Sequence, residues 1–384
     1  MRVARVSQFD PDRRVTRAVY SFAQPDRRRI GKGLHMEFGV FHEFPSLVNR
    51  PDADAFAEAF AIVDEAERCG LDVIWLGEFH FDPARSVLSS PMCIASAIAM
   101  RTRRIKIGVA VQVLPLGNPL RLAEEAATVD QISGGRLIFG AGRSGVAKTY
   151  EAYNIPYIES RDRFAEALEI IEQAWVGENF SHTGEFYQFK DVSVTPRPFR
   201  AGGPPIRIAA TSADTFVTIG QQGRPIFLAV RHEDARDFAP NIAAYRAAWR
   251  KAGHAGHGQV YLRTPGFIAA TEAQARAEVE ASLIHYYRAQ GVLLADSARR
   301  AGVDAANRRA KTAERLMTIT YDEALRGSLM IGTPQTVSAR LRALQTDLGL
   351  DGVLIELNCG GKVEHAHELA AMRLLGEEVM PAFR

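Results

Sequence analysis

The feature that most constrains this chain is a repeat of type rather than of sequence. From Met36 onward, short β-branched or aromatic runs alternate with longer amphipathic stretches, as parallel strands crossed over by helices do. Strand-like runs fall at 36–41, 72–78, 105–111, 136–140, 206–210, 225–230, 260–269 and 352–357. Helix-like stretches fall near 52–69, 90–102, 119–133, 160–176, 212–222, 233–252, 271–290 and 334–348, with another after 364. Eight of each predict an α/β fold of the (β/α)8 TIM-barrel type, because a doubly wound open sheet usually has fewer strands. Two segments interrupt the alternation and are expected as insertions after the fourth and seventh helices: 178–204, where 180–187 reads as a hairpin, and 291–331. Barrel sites are built on the loops that follow the strands, so the second insertion is a candidate lid.

Residues 1–35 stand apart, with eight Arg and one Lys against three Asp and no helical periodicity. A basic, disordered extension is expected there, ahead of a barrel domain at 36–384, and no nucleic-acid partner is implied. The chain has neither a long apolar span nor a signal-peptide stretch, so no membrane association is expected and the cytoplasm is the expected location. Cys69, Cys93 and Cys359 are too widely spaced for a disulfide framework and are read as core thiols. His254 with His257, and Glu364-His365-Ala366-His367-Glu368, lack an established ligand spacing, so no metal is expected.

Two constellations could carry chemistry. Gly140, Gly142 and Gly145 surround Arg143; glycines let backbone approach a ligand while a guanidinium offers a forked donor to phosphate. The alternative is a surface salt bridge. The run Ala209-Ala210-Thr211-Ser212-Ala213-Asp214-Thr215 puts hydroxyls at a helix start, which suits either an anion site or plain N-capping.

Three further stretches carry a resemblance. They are Gly77-Glu78-Phe79-His80-Phe81 with Ser89-Ser90-Pro91, the run 107–116 continued by Asn118-Pro119-Leu120-Arg121, and Asp130-Gln131-Ile132-Ser133-Gly134-Gly135-Arg136 running on to Arg143. In order and spacing they resemble the bacterial luciferase-like flavin-dependent monooxygenase family, and the likeness extends from Met36 to the carboxyl terminus. The resemblance implies a barrel that uses reduced FMN and dioxygen on a small organic substrate, with the flavin supplied by a separate NAD(P)H-dependent reductase. It implies FMN-phosphate contacts from Arg143, Arg161, Thr211, Ser212 and Thr215, and a non-proline cis bond between Ala110 and Val111 beneath the flavin ring. It also implies pairing into a homodimer or other oligomer through the helices at 90–102 and 119–133. Many relatives carry two histidines after the glutamate; here the first is Phe79, expected to line the substrate pocket, and His80 is the catalytic candidate. Where luciferases carry a reactive cysteine this chain has Gly142, so light emission does not carry over. A deazaflavin-dependent dehydrogenase and a non-catalytic flavin-binding protein are the alternatives on the same barrel.

Overall fold

A computed structural model describes residues 35–384 apart from Thr211, Arg231, His232, Ala301 and Gly302, with no side chains described for 303–309. The expected extension thus lies, His35 aside, outside the described residues, as does Thr211.

Eight parallel strands close on themselves: β1 (Glu37–His42), β2 (Val73–Leu76), β3 (Lys106–Val109), β4 (Leu137–Gly142), β5 (Ile206–Ala209), β6 (Ile226–Ala229), β7 (Val260–Ile268) and β8 (Gly352–Glu356). Each pairs with the next, and β8 returns to β1 through Phe38 opposite Val353 and Gly39 opposite Leu354. The crossover helices are α1 (Asp52–Arg68), α2 (Pro91–Arg101), α3 (Pro119–Ser133), α4 (Ser160–Val176), α5 (Ala213–Gln222), α6 (Ala239–Lys251), α7 (Glu272–Arg300) and α8 (Pro334–Leu348). The expected (β/α)8 barrel is therefore the observed one.

Helix limits were legible where capping chemistry is written into the sequence. The Asn118 side chain accepts from the Leu120 amide at 3.0 Å, Pro119 opens α3, and Gly134 closes it at φ 64°. Thr333, Pro334 and Gly349 bound α8 in the same way.

The first insertion is an antiparallel hairpin of Phe180–Thr183 with Gln188–Val192, a few residues longer than expected. The second is helical. α7 continues to Arg300 instead of ending near 290, followed by helices Val303–Thr318 and Tyr321–Leu325 and the strand Met330–Gly332, which pairs with β7. Close approach of α7 to Val303–Thr318 needs Gly291, where a Cβ would lie 2.6 Å from Met317 Cγ. The cysteine expectation is corrected: Cys359 is buried, Cys69 half-buried and Cys93 exposed, because Cys93 falls off the inward face of α2 formed by Met92, Ala95, Ile98 and Ala99. Among the described residues no helix is long and apolar enough to cross a membrane.

Two cores separate inside from outside. The larger fills the space between strands and helices, while Phe41, Val73, Trp75, Ile138, Phe227, Tyr261 and Leu354 fill the barrel. Trp75 occupies the middle layer because Gly39 and Gly108 leave room: a Cβ on either would come within 2.4 Å and 2.1 Å of the indole. Its ring meets Phe227 edge-on at 5.0 Å. Below it, Arg207 stacks on Tyr261 at 3.6 Å and pairs with Glu37 at 2.8 Å. With middle and lower layers filled by the described residues, the room left inside the barrel is at the carboxyl ends of the strands.

Candidate active site

The residues singled out from sequence fall at four successive strand ends. β2 stops at Leu76 and β3 at Val109, both short of the predicted limits, because Gly77–Glu78 and Ala110–Val111 leave the ladder to form the barrel mouth. The Ala110–Val111 peptide is cis. A two-residue strand, Gln112–Val113, then pairs with the end of β4. Gly142 permits this, since a Cβ there would meet Val111 Cγ2 at 2.4 Å. The reading of the glycines as a phosphate loop is corrected in part. Gly140 and Gly142 lie within β4, where a Cβ on Gly140 would strike the Val109 carbonyl at 1.8 Å, and only Gly145 lies in the loop beyond. Their first service is to strand packing.

Phe79 folds back over Gly77 and packs with Ala110 and Val111 onto the barrel's inner cluster. His80 turns the other way. Its Nε2 lies 2.8 Å from Glu78 Oε1 and its Nδ1 3.2 Å from the Tyr153 hydroxyl. Glu78 Oε2 accepts from Gln112 Nε2 at 2.6 Å and from the Val113 amide at 2.7 Å. Burial raises the Glu78 carboxyl above its ordinary value even though His80 and the Val113 amide pull it down. With that carboxyl ionised, Nε2–H donates to Glu78 and Nδ1 accepts from Tyr153, so both ring nitrogens are engaged. Tyr153, at the end of a short helix (Ala147–Ala152) that sequence periodicity missed, was not a predicted site residue.

A second group lies one and two strands further round. Arg143, just past β4, reaches the first residue of α4, its Nη1 3.2 Å from the buried Ser160 Oγ, while Tyr150 donates to the Arg143 carbonyl. Arg161 is exposed on that helix start, with no ion-pair partner among the described residues. After β5, Ser212 and Thr215 hydrogen-bond to each other at 2.7 Å at the start of α5, and the Ser212 side chain makes no capping bond. Arg143, Arg161, the Ser212 and Thr215 hydroxyls and the start of α5 are groups of the kinds that bind a phosphate monoester.

Sequence reading missed a buried charge cluster at the opposite side of the mouth. Arg85 donates through Nε to Glu43 at 2.8 Å, and Arg263 on β7 donates through Nη2 to Glu43 at 3.1 Å and to Glu356 on β8 at 2.7 Å. The guanidiniums lie over Phe79 at 4.2 Å and Phe41 at 3.6 Å respectively. Burial opposes ionisation of Glu43, but Arg85 and then Arg263 outweigh it and hold its carboxyl below the usual range. At Glu356, burial wins over Arg263, with Glu43 adding to it, and its carboxyl is raised.

Three of the four histidines in the two candidate metal runs have other partners: His254 Nε2 lies 2.7 Å from the Gln221 carbonyl, His257 2.7 Å from Asp351 and His367 2.5 Å from Glu278. Among the described residues no group of three or more His, Cys, Asp or Glu could hold a metal ion.

Comparison with known proteins places this mouth in a family. The family model for luciferase-like monooxygenases matches residues 36–352, and the chain belongs to that family. Similar relatives include the oxygenase component of a flavin-dependent trigonelline monooxygenase from Acinetobacter baylyi, 25% identical over 91% of this chain and 96% of that one. Limonene 1,2-monooxygenase from Rhodococcus erythropolis is 28% identical over 89% of this chain and 86% of the relative. Among solved structures, the oxygenating constituent of 3,6-diketocamphane monooxygenase from Pseudomonas putida, in complex with FMN, superposes with a TM-score of 0.74 at 20% identity, covering 90% of this chain and 98% of that one. An F420-dependent secondary alcohol dehydrogenase shares the fold with a TM-score of 0.70 at 15% identity over 91% and 99% of the two chains. The protein is an oxidoreductase of the flavin-dependent monooxygenase class, which incorporates one oxygen atom into its substrate.

Proposed function

We propose that the protein takes reduced FMN from a separate NAD(P)H-dependent flavin reductase and oxygenates a small organic substrate with dioxygen. The observation that carries this reading is that Arg143 follows β4 and the hydrogen-bonded pair Ser212 and Thr215 follows β5, beyond the cis Ala110–Val111 bond after β3, with Arg161 at the start of α4. Thr211 belongs to the same proposed set but lies outside the described residues. The bound flavin would supply the electrons and the oxygen-reactive centre. The chain's share is to bind its phosphate, to support the ring on Ala110 and Val111, and to keep water from the reacting face with Phe79. His80, held at Nε2 by Glu78 and at Nδ1 by the Tyr153 hydroxyl, is the proposed acid–base residue. The name of the trigonelline relative, an oxygenase component, supports a two-component system. A homodimer through α2 and α3, a cytoplasmic location and a dispensable segment 1–35 complete the proposal.

The second reading, deazaflavin-dependent hydride transfer, has the F420-dependent dehydrogenase fold in its favour. The match of the four phosphate donors to the FMN pattern favours the first.

His80→Ala tests the division of labour. With reductase, NADH and dioxygen present, flavin-dependent turnover is expected to fall by about 100-fold, within the usual contribution of a positioned acid–base group. FMN affinity should stay within a few-fold of the parent. Unchanged turnover would reduce His80 to a lining residue, and lost FMN affinity would place it in the flavin site instead.

A further inference from the structure

The short helix Ala147–Ala152 and the residue that ends it touch both halves of the proposed site. Tyr150, fully buried, donates to the Arg143 carbonyl and meets Tyr157 edge-on at 5.1 Å. Three residues on, the Tyr153 hydroxyl lies 3.2 Å from His80 Nδ1. Because β3 stands between β2 and β4, the loop after β4 thus reaches past one strand end to the loop after β2.

Tyr153 is held firmly where it makes that contact. Its amide closes on the Thr149 carbonyl at 3.2 Å, and the Ile155 amide returns to the Tyr150 carbonyl at 2.9 Å. Between them Asn154 turns the chain at φ 56°, in the left-handed region that asparagine tolerates better than most residues. Glu151 pairs with Arg300 at the end of α7.

The His80 ring needs a support of this kind. Glu78 Oε1 fixes Nε2, but a single hydrogen bond leaves the imidazole free to swing about it. A second bond at Nδ1 removes that freedom, and the Tyr153 ring stands edge-on to the imidazole, at 84° and 5.3 Å. A hydroxyl also suits both states of an acid–base residue. It donates to Nδ1 while the ring is neutral and accepts from Nδ1–H once the ring is protonated, while Nε2–H stays on Glu78. Burial, and then the charge of Glu78, raises the Tyr153 hydroxyl above its ordinary value, so it keeps its proton at neutral pH.

We infer, on the reading of His80 as the acid–base residue, that Tyr153 is a positioning residue. Its hydroxyl fixes the plane of the His80 ring and keeps Nδ1, the nitrogen that gains and loses the proton, hydrogen-bonded in both states.

Tyr153→Phe deletes the hydroxyl and keeps the aromatic packing on His80 and Phe81, whereas Tyr153→Leu removes both. The full chain labelled with 15N-histidine reports on Nδ1 directly, the His80 signal being the one lost in His80→Ala. With the ring neutral, both Tyr153 variants should move that signal downfield, from the position of a hydrogen-bonded acceptor toward that of an unbonded one. The same chains, loaded anaerobically with reduced FMN, are then mixed with dioxygen. Reoxidation of the singly anionic reduced flavin takes up one proton and one dioxygen and yields FMN and hydrogen peroxide. Both variants should change its rate in the direction that His80→Ala does, by about 3- to 10-fold, the effect of one hydrogen bond between neutral groups. FMN affinity should stay within a few-fold of the parent. A Nδ1 signal that Tyr153→Phe leaves in place, or a rate altered by Tyr153→Leu and not by Tyr153→Phe, would reduce Tyr153 to packing and overturn the inference. If the parent binds no FMN, or if His80→Ala leaves reoxidation unaltered, the reading of the site itself fails. That failure is told apart because the Nδ1 signal, which needs no flavin, still shows whether Tyr153 holds the ring.

Discussion

Arg143→Ala should weaken FMN binding by about 10- to 100-fold while leaving riboflavin, which lacks the phosphate, nearly unchanged. The magnitude is that of one hydrogen bond to a charged group, roughly 1.5–3 kcal/mol. The geometry supports a large effect because the guanidinium is pre-positioned, with Nη1 on Ser160 Oγ and the backbone carbonyl held by Tyr150, so little ordering remains to be done on binding. Titrating both ligands against both proteins separates phosphate recognition from general damage. Equal weakening of FMN and riboflavin, or no change in either, would remove Arg143 from the phosphate site.

Trp75→Ala is expected to be the most destabilising single truncation in the barrel, by about 3–5 kcal/mol, the range for emptying a buried aromatic site. Trp75 is fully buried, and its neighbours Gly39 and Gly108 have no side chains with which to fill the void. The indole also makes the floor beneath the mouth with Phe227, so FMN affinity should fall together with the denaturant midpoint. A loss under about 1 kcal/mol would mean that the middle layer repacks, and that the glycines are not there to seat the indole.

How much of this could be read from the sequence depends on how local the physics is. Strand and helix periodicity is local, and so are caps such as Asn118-Pro119 and Thr333-Pro334, which is why α3 and α8 fall where the sequence puts them. The same chemistry lay unread in the second insertion, where Thr320 and Glu323 form a capping box. Gly140 and Gly142 misled for a physical reason: lack of a Cβ serves a phosphate loop and a crowded strand equally, and only the neighbouring Val109 carbonyl and Val111 side chain decide between them. Arg143 and the hydroxyls at 211–215 stood out as residue types open to more than one reading, whereas Arg161 and the assignment of the set to FMN phosphate came from family resemblance. The mouth cluster was invisible because its pairs are formed by closure of the barrel, Glu43 with Arg263 across 220 positions and Arg263 with Glu356 across 93. Singly, each reads as an ordinary surface charge. Tyr153 was missed likewise, 73 positions from the histidine it bonds.

Reduced FMN, in preference to other reduced flavins, is the expected occupant of the barrel mouth. Anaerobic titration of the full chain with reduced FMN and with reduced deazaflavin F420 tests it directly, with no need to know the substrate. Reduced FMN should bind at least about 10-fold more tightly than reduced F420, and admitting dioxygen to the FMN complex should reoxidise the flavin. Tighter binding of reduced F420, with no oxygen reaction, would contradict it and make the chain a hydride-transferring dehydrogenase.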